Sequence, residues 1–340
     1  MSGFHTLRVA ALTAETADAC SIQLDVPAAL ASTFSYRPGQ FLTLRVQVGG
    51  ETLLRCYSMS STPGLDAGLR VTVKRVAGGR GSNALCDTLR AGDCMEVMPP
   101  AGVFCPPDVQ GDFLLFAGGS GITPVFSILR AALVQGTGQV RLIYANRDKA
   151  SIIFADALAH LQAQYPTRLH IEHWLDAQQG FANAAQLAAL AAPLRHAPAY
   201  ICGPAPFMDM AVNALQSLGL APEHIHLERF SATPTSDAAP SAADLPELID
   251  DAQLHIELDG VHHHIDCGPS ETLLEAALRH KIAAPYSCQA GMCASCMCQV
   301  TEGAVHLRHN DALDAKDLAR AWTLSCQAVP RSAVLRVKFP

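Results

Sequence analysis

Alternating apolar and polar positions dominate the first third of the chain. The runs TLRVAAL (6–12), SIQLDV (21–26), FLTLRVQV (41–48), LRVTVKRV (69–76) and CMEVMPP (94–100) are separated by the turn signals RPG, GG and TPG. A period of two puts apolar side chains on one face of an extended chain. Residues 1–108 are therefore expected to form an antiparallel β-barrel or sandwich. One helical segment interrupts them, SNALCDTL at 82–89, with Ser82 as its expected N-cap.

The rhythm changes over residues 109–230. DFLLFAG, VRLIYANR, RLHIEHWL, AYICG and HIHLERF read as buried strands, and TPVFSILRAALVQ, SIIFADALAHLQAQ and PAPFMDMAVNALQSLG as helices. Strands alternating with helices predict a doubly wound α/β domain with a parallel sheet. Residues 231–250, SATPTSDAAPSAADLPELID, show neither period and read as a linker. Residues 251–340 start again with a hairpin, AQLHIELDG and VHHHIDC. A helix (SETLLEAALRHK), a cysteine-rich loop, the strand CQVTEG and a last strand AVLRVKF follow, an α+β unit.

Composition narrows the function classes. A chain of 340 residues has room for two or three domains, and 49% hydrophobic with 16% charged residues suits an ordinary globular protein. No apolar run approaches the roughly 20 residues of a membrane span, and the N-terminus lacks a basic segment followed by an apolar core. A cytoplasmic protein with no membrane partner is expected. The net charge of −7, without a basic block, argues against nucleic acid. From residue 241 onward, eight basic side chains face thirteen acidic ones, so the last unit is the acidic one.

Twelve cysteines without a secretion signal do not read as a disulfide framework. Most of those scattered through the chain read as small buried hydrophobes. The segment YSCQAGMCASCMCQV (286–300) differs. Cys288-x4-Cys293-x2-Cys296, then a long gap to Cys326, does not match the paired x2 spacings of a zinc ribbon. It is the spacing of plant-type [2Fe–2S] ligation. Cys298 has no place in it and reads as a bystander. His262–His264 alternate faces of the hairpin and read as solvated.

Four further motifs carry candidate chemistry. In RCYSMSS (55–61), Arg55 ends a strand and Tyr57 can pack on an aromatic ring system. GGRGSN (78–83) is a glycine-rich turn opening a helix, where free N–H groups and the helix dipole suit a pyrophosphate. LLFAGGSGITP (114–124) and YICGPAPFM (200–208) repeat that strand–turn–helix logic in the α/β domain, where ligands bind beyond the strand ends. Gly203 and Pro204 keep the second turn close to whatever sits there.

Together with YRPGQF, these motifs occur in the order found in the ferredoxin–NADP(H) reductase superfamily with a C-terminal plant-type ferredoxin. The chain resembles the reductase components of bacterial multicomponent oxygenases of the phenylacetyl-CoA epoxidase and 3-ketosteroid 9α-hydroxylase type. The resemblance implies an FAD-binding β-barrel over 1–108, an NAD(P)H-binding domain over 109–230 and a [2Fe–2S] ferredoxin domain over 251–340. It implies that Arg55 and the turn of Gly79, Gly81 and Ser82 hold the FAD pyrophosphate. Tyr57 and Ser58 lie against the isoalloxazine, with Glu228 and Phe230 beside it. Gly119, Gly121 and Thr123 line the nicotinamide site, and Cys202 approaches the nicotinamide. Cys288, Cys293, Cys296 and Cys326 hold the cluster, and Ser58, Cys202 and Glu228 are the catalytic candidates.

The expected activity is electron transfer from NADH or NADPH through FAD to the cluster. From there electrons pass to a terminal oxygenase or another acceptor protein docking on the acidic ferredoxin domain, with the linker letting that domain turn outward. A stand-alone diaphorase, or a reductase of a soluble ferredoxin, cytochrome or desaturase, is the alternative reading. A redox sensor fits the intact nucleotide motifs poorly. Arg147 and Asp148 leave the choice of dinucleotide open, and FMN in place of FAD is disfavoured by RCYS with GGRGSN.

Overall fold

A computed structural model of the chain describes residues 3–230 and 251–340, apart from 287, 288, 290, 292, 311 and 314. The expected linker at 231–250 and Cys288 lie outside the described residues. The chain divides into two units, Met1–Phe230 and Ser231–Pro340.

The first unit opens with six strands: β1 (His5–Thr16), β2 (Ala19–Asp25), β3 (Phe41–Val48), β4 (Glu51–Ser58), β5 (Leu69–Lys74) and β6 (Cys94–Val97). They form an antiparallel sheet of order β4-β3-β6-β1-β2-β5. An antiparallel bridge, Met59 to Val71, joins the chain just after β4 to β5, the strands at the two ends of that order. The inward positions Leu7, Val9, Ile22, Leu24, Leu42, Leu44, Val71 and Val97 make its core. Of strand β4 only an end at Arg55 was expected; its full length, running on to Ser58, was not. Gly49 and Gly50, both at positive φ, close a two-residue hairpin that pairs it with β3 along its whole length. Helix α1 (Arg80–Thr88) begins two residues earlier than expected. Gly79 is its N-cap, and Ser82 lies inside the first turn, its hydroxyl accepting from the Val76 N–H at 3.2 Å.

The second half of this unit alternates as expected: β7 (Phe113–Gly118), α2 (Ile122–Gln135), β8 (Val140–Asn146), α3 (Ala155–Gln164), β9 (Leu169–Leu175), α4 (Asp176–Gln179), α5 (Ala184–Ala191), β10 (Ala199–Cys202), α6 (Ala205–Ser217) and β11 (Ile225–Glu228). The five strands are parallel in the order β11-β10-β7-β8-β9. Both faces are covered, which explains the continuous apolar runs. Leu115, Ala117 and Tyr144 meet Val125, Ile128 and Leu129 of α2 on one face. Leu114, Phe116 and Ile143 meet Leu187, Met208 and Leu215 on the other. Helix α5 was not expected, because its apolar positions are mostly alanine and give little periodic contrast. Its start is nonetheless marked by a capping box between Asn183 and Gln186.

The loop after β4 grips α2. Ser127 Oγ donates to the Ser61 carbonyl at 2.6 Å, Gln135 Nε2 to the Pro63 carbonyl at 3.0 Å, and Arg130 pairs with Asp66 through both terminal nitrogens. The end of β4 is thereby held against the parallel sheet.

The second unit contains β12 (Ala252–Leu258), β13 (Val261–Cys267), α7 (Leu273–Arg279), β14 (Met297–Glu302), β15 (Val305–Leu307), α8 (Ala315–Ala319), β16 (Trp322–Leu324), β17 (Ala328–Pro330) and β18 (Val334–Lys338). A mixed sheet of order β13-β12-β18-β14-β16 lies beside the small ladder β15-β17. The expected hairpin is β12–β13, and α7 starts at a capping box of Thr272 and Glu275. Three strands of three residues and the short α8 were not expected, since elements that brief carry no readable period.

The C-terminal end of α2 is closed by a side chain from outside the helix. Arg168 donates to the carbonyls of Ala132, Leu133, Gly136 and Gly138 at 2.9–3.1 Å. Leu133 is in the last turn, whose carbonyls a helix end leaves without intrahelical partners, Ala132 also accepts from the Gly136 N–H, and Gly136 and Gly138 lie just past the helix. Arg168→Ala should lower the stability of this unit by about 2–4 kcal/mol, several charge-assisted bonds being lost together. The fall in thermal midpoint, followed by the fluorescence of Trp174, measures it.

Candidate functional site

Strands β7 and β10 are neighbours, although the chain visits β8 and β9 between them. Their carboxyl ends form the switch point of the sheet, where successive crossovers diverge and leave a crevice. Gly118–Gly121 turns the chain from β7 into α2, and Cys202–Pro204 turns it from β10 into α6. The two turns touch backbone to backbone. A Cβ on Gly203 would lie 2.9 Å from Gly118 N and Cα, one on Gly118 would lie 2.7 Å from Pro204 Cδ, and one on Gly121 would collide with the Cys202 carbonyl. Thr123 is buried, its hydroxyl donating to the Ser120 carbonyl at 3.2 Å, and Tyr144 steadies the turn by donating to the Gly119 carbonyl at 3.1 Å. The floor of the crevice is bare backbone at the start of two long helices, which fits a dinucleotide.

Register places Cys202 opposite Glu228 at the ends of β10 and β11. From the other sheet, Ser58 at the end of β4 donates to Glu228 Oε2 at 2.9 Å. The three catalytic candidates, distant in sequence, thus share one region. Burial pushes the Glu228 carboxyl up to about 8, and the Ser58 hydrogen bond opposes that rise only partly. Burial, and secondarily the Glu228 carboxyl, raises the wholly buried Cys202 thiol well above its ordinary range. Phe230, two residues past Glu228, is left 42% exposed, which fits a ring awaiting a partner surface. Burial likewise raises Tyr57, with Arg55 acting in the opposite sense.

Arg55 and the GGRGSN turn also meet. A Cβ on Gly81 would lie 3.1 Å from Arg55 Cγ and 3.2 Å from its Nε, so the glycine lets the arginine lie across the first turn of α1. Guanidinium and helix N-terminus together suit a pyrophosphate. Sequence reasoning missed Lys74, whose Nζ is the nearest atom to a Cβ on Gly119, at 3.6 Å. It ends a strand of the first sheet, and nothing local marks it. At the end of β8, Arg147 pairs with Asp148 at 3.0 Å, and Asp148 caps the turn that follows through the Ser151 N–H.

In the second unit the described residues include three of the four expected ligands. Cys296 and Cys326 are buried and hydrogen-bonded to each other, which holds the Cys296 thiol low. Around them Gln289, Gly291 and Ala294 all take positive φ, and a Cβ on Gly291 would lie 2.6 Å from the His309 carbonyl. Such a wrapped backbone, with small residues and converging thiols, fits a cluster of inorganic sulfide and iron. Among the described residues no three ligand-type side chains close on a single point, as they would around one metal ion. Cys298 points into the core of β14 and is fully buried.

Comparison with known proteins agrees with this geometry. The family described as oxidoreductase FAD-binding domain matches residues 6–105, oxidoreductase NAD-binding domain 115–213, and 2Fe-2S iron-sulfur cluster binding domain 256–331. The ferredoxin reductase component of 3-ketosteroid-9-alpha-monooxygenase from Rhodococcus rhodochrous is 47% identical over 98% of this chain and 96% of the relative. One component of the 1,2-phenylacetyl-CoA epoxidase of Escherichia coli is 38% identical over 100% of this chain and 98% of the relative. The chain belongs to the family of oxygenase reductase components. This reductase is an oxidoreductase that passes electrons from NAD(P)H through FAD to a [2Fe–2S] cluster. Its three-domain fold is that of phthalate dioxygenase reductase, at a TM-score of 0.62 with 24% identity over 99% of this chain and 98% of that one.

The half-buried Glu228 makes the reductase pH-sensitive in a defined direction. A carboxyl whose folded pKa lies above its unfolded value binds more protons when folded. Stability is then lost as pH rises from the ordinary carboxylate range through about 8. Glu228→Gln should leave the thermal midpoint near the parent value at pH 5 and raise it relative to the parent at pH 9. An equal difference at both pH values would show that the carboxyl is not perturbed.

Proposed function

We propose that the reductase delivers its electrons to the terminal component of an oxygenase or hydroxylase. The observation that carries this is near-full-length similarity to components of two such systems. Those relatives serve a 3-ketosteroid monooxygenase and a phenylacetyl-CoA epoxidase, so the oxidised substrate belongs to the partner and this chain needs no site for it. The acidic excess beyond residue 241 favours a docking partner with a basic face. No helix is long and apolar enough to cross a membrane among the described residues, which is compatible with a cytoplasmic location.

The FAD that this chain's residues would hold would supply the conversion of a hydride's electron pair into single electrons, as the cluster requires. The chain supplies position and charge. Arg55 and the start of α1, with Gly79, Gly81 and Ser82, hold the pyrophosphate. Tyr57 and Phe230 would supply aromatic surfaces to hold the flavin ring. The Ser58–Glu228 pair holds a proton at the ring edge. Gly119, Gly121 and Thr123 seat the dinucleotide, while Cys202, Gly203 and Pro204 present a flat surface to the nicotinamide. Cys288, Cys293, Cys296 and Cys326 ligate the cluster. The Met59–Val71 bridge supports reading the first sheet as a closed barrel. The domain limits are 1–108, 109–230 and 251–340.

Anaerobic titration with NADH and with NADPH tests this, with flavin and cluster absorbance followed separately. One of the two should bleach both chromophores. In Cys326→Ser the flavin should bleach and the cluster bands be absent, whereas Cys298→Ser should keep both. Cluster bands that survive in Cys326→Ser would overturn the ligand assignment.

A further inference from the structure

Most cysteines outside the cluster loop were expected to be small buried hydrophobes. Cys202 and Cys267 are, but Cys20 and Cys86 are not: both are half-exposed. Their sulfurs lie 3.3 Å apart, although 66 residues separate them. Cys20 is on β2, paired with Val73 of β5, and Cys86 is in the second half of α1, with its sulfur 3.9 Å from the Val73 carbonyl. Beside them Arg75 forms an ion pair with Asp87 at 2.7 Å. The hydrogen bond shared by the two thiols holds Cys86 below the ordinary thiol range, with Arg75 reinforcing it, and raises Cys20. Two partly buried thiols 3.3 Å apart, one of them lowered, are the arrangement of a nucleophilic and a resolving cysteine.

We propose that Cys20 and Cys86 are a redox-active dithiol that hydrogen peroxide converts to an intramolecular disulfide, tethering α1 to β2 and slowing the release of FAD. The Cys86 thiolate attacks a peroxide oxygen, the O–O bond breaks, and the leaving hydroxide takes up a proton as water, giving Cys86 sulfenic acid. The Cys20 sulfur then attacks the Cys86 sulfur. The S–O bond breaks, and the departing hydroxide leaves as water with the Cys20 proton. Two thiols lose two electrons and one peroxide gains them. A thiol reductant reverses the reaction. The consequence for flavin rests on the reading of the α1 turn as the pyrophosphate site. That turn is the N-terminus of the helix that Cys86 would anchor, so a tether in the same short helix restrains the rocking that releases the ligand.

The test uses the full FAD-loaded protein with limiting peroxide. Peptide mapping after alkylation should show a Cys20–Cys86 cross-link while the exposed Cys94 remains alkylated. Dilution of the oxidised protein should release flavin fluorescence about threefold or more slowly than the reduced protein. Cys86→Ser and Cys20→Ala should both lose that difference, and Cys20→Ala should leave Cys86 trappable by a sulfenic-acid probe. Consumption of Cys94 before the pair, or no cross-linked peptide, overturns the dithiol. A cross-link without slower release overturns the tether. Arg55→Ala reads the flavin assignment independently: it should speed release with the cysteines intact, and if it does not, the flavin site is misassigned whatever the cross-link shows.

Discussion

The contact on which the site depends is the meeting of two glycine turns. Gly118 and Gly203 approach so closely that neither tolerates a Cβ, and Gly121 packs on the Cys202 carbonyl in the same way. Neighbouring parallel strands aim their carboxyl ends alike, and the following helices bring their N-termini to the same crevice. With glycine at 118, 119, 121 and 203, much of the crevice floor is made of peptide groups and helix dipoles. A negatively charged dinucleotide can lie against it without displacing any side chain. The loop gripping α2 then brings the end of β4 to this floor, and the Ser58–Glu228 hydrogen bond joins the two sheets.

Burial sets the electrostatics. Glu228 is a carboxyl in a poorly solvated place with one hydrogen bond, so it favours the neutral form far above the usual carboxylate range. The Arg55 guanidinium lies beside the helix turn at Gly81. The same sheet ends thus offer a proton-holding pair at one point and a fixed positive charge at another, as a ligand with a redox-active ring and a pyrophosphate requires.

The cysteines show one residue type serving several ends. Cys202, Cys267 and Cys298 are buried, and burial raises their thiols. Cys296 and Cys326 converge under a wrapped loop and share a hydrogen bond. Cys20 and Cys86 touch at the junction of a helix and a sheet, half in solvent. Solvation and the nearest charged or sulfur neighbour separate these fates, and neither can be read from the local sequence.

Much of the architecture was legible because it is written in local patterns. Period-two runs, the strand–helix alternation, the glycine turns and the x4–x2 cysteine spacing each report a nearby backbone geometry or ligand set. The elements that were missed are those with weak local contrast: most of β4 behind a glycine hairpin, the alanine-rich α5, and strands of three residues. Strand order, and with it the adjacency of Gly118 and Gly203, was decided only by tertiary structure. So were the pairing of Ser58 with Glu228, the approach of Lys74 to Gly119, and the meeting of Cys20 with Cys86. These contacts join residues dozens to more than a hundred positions apart. Periodicity fixes which face of an element is buried, but the packing of whole sheets selects which faces and ends meet.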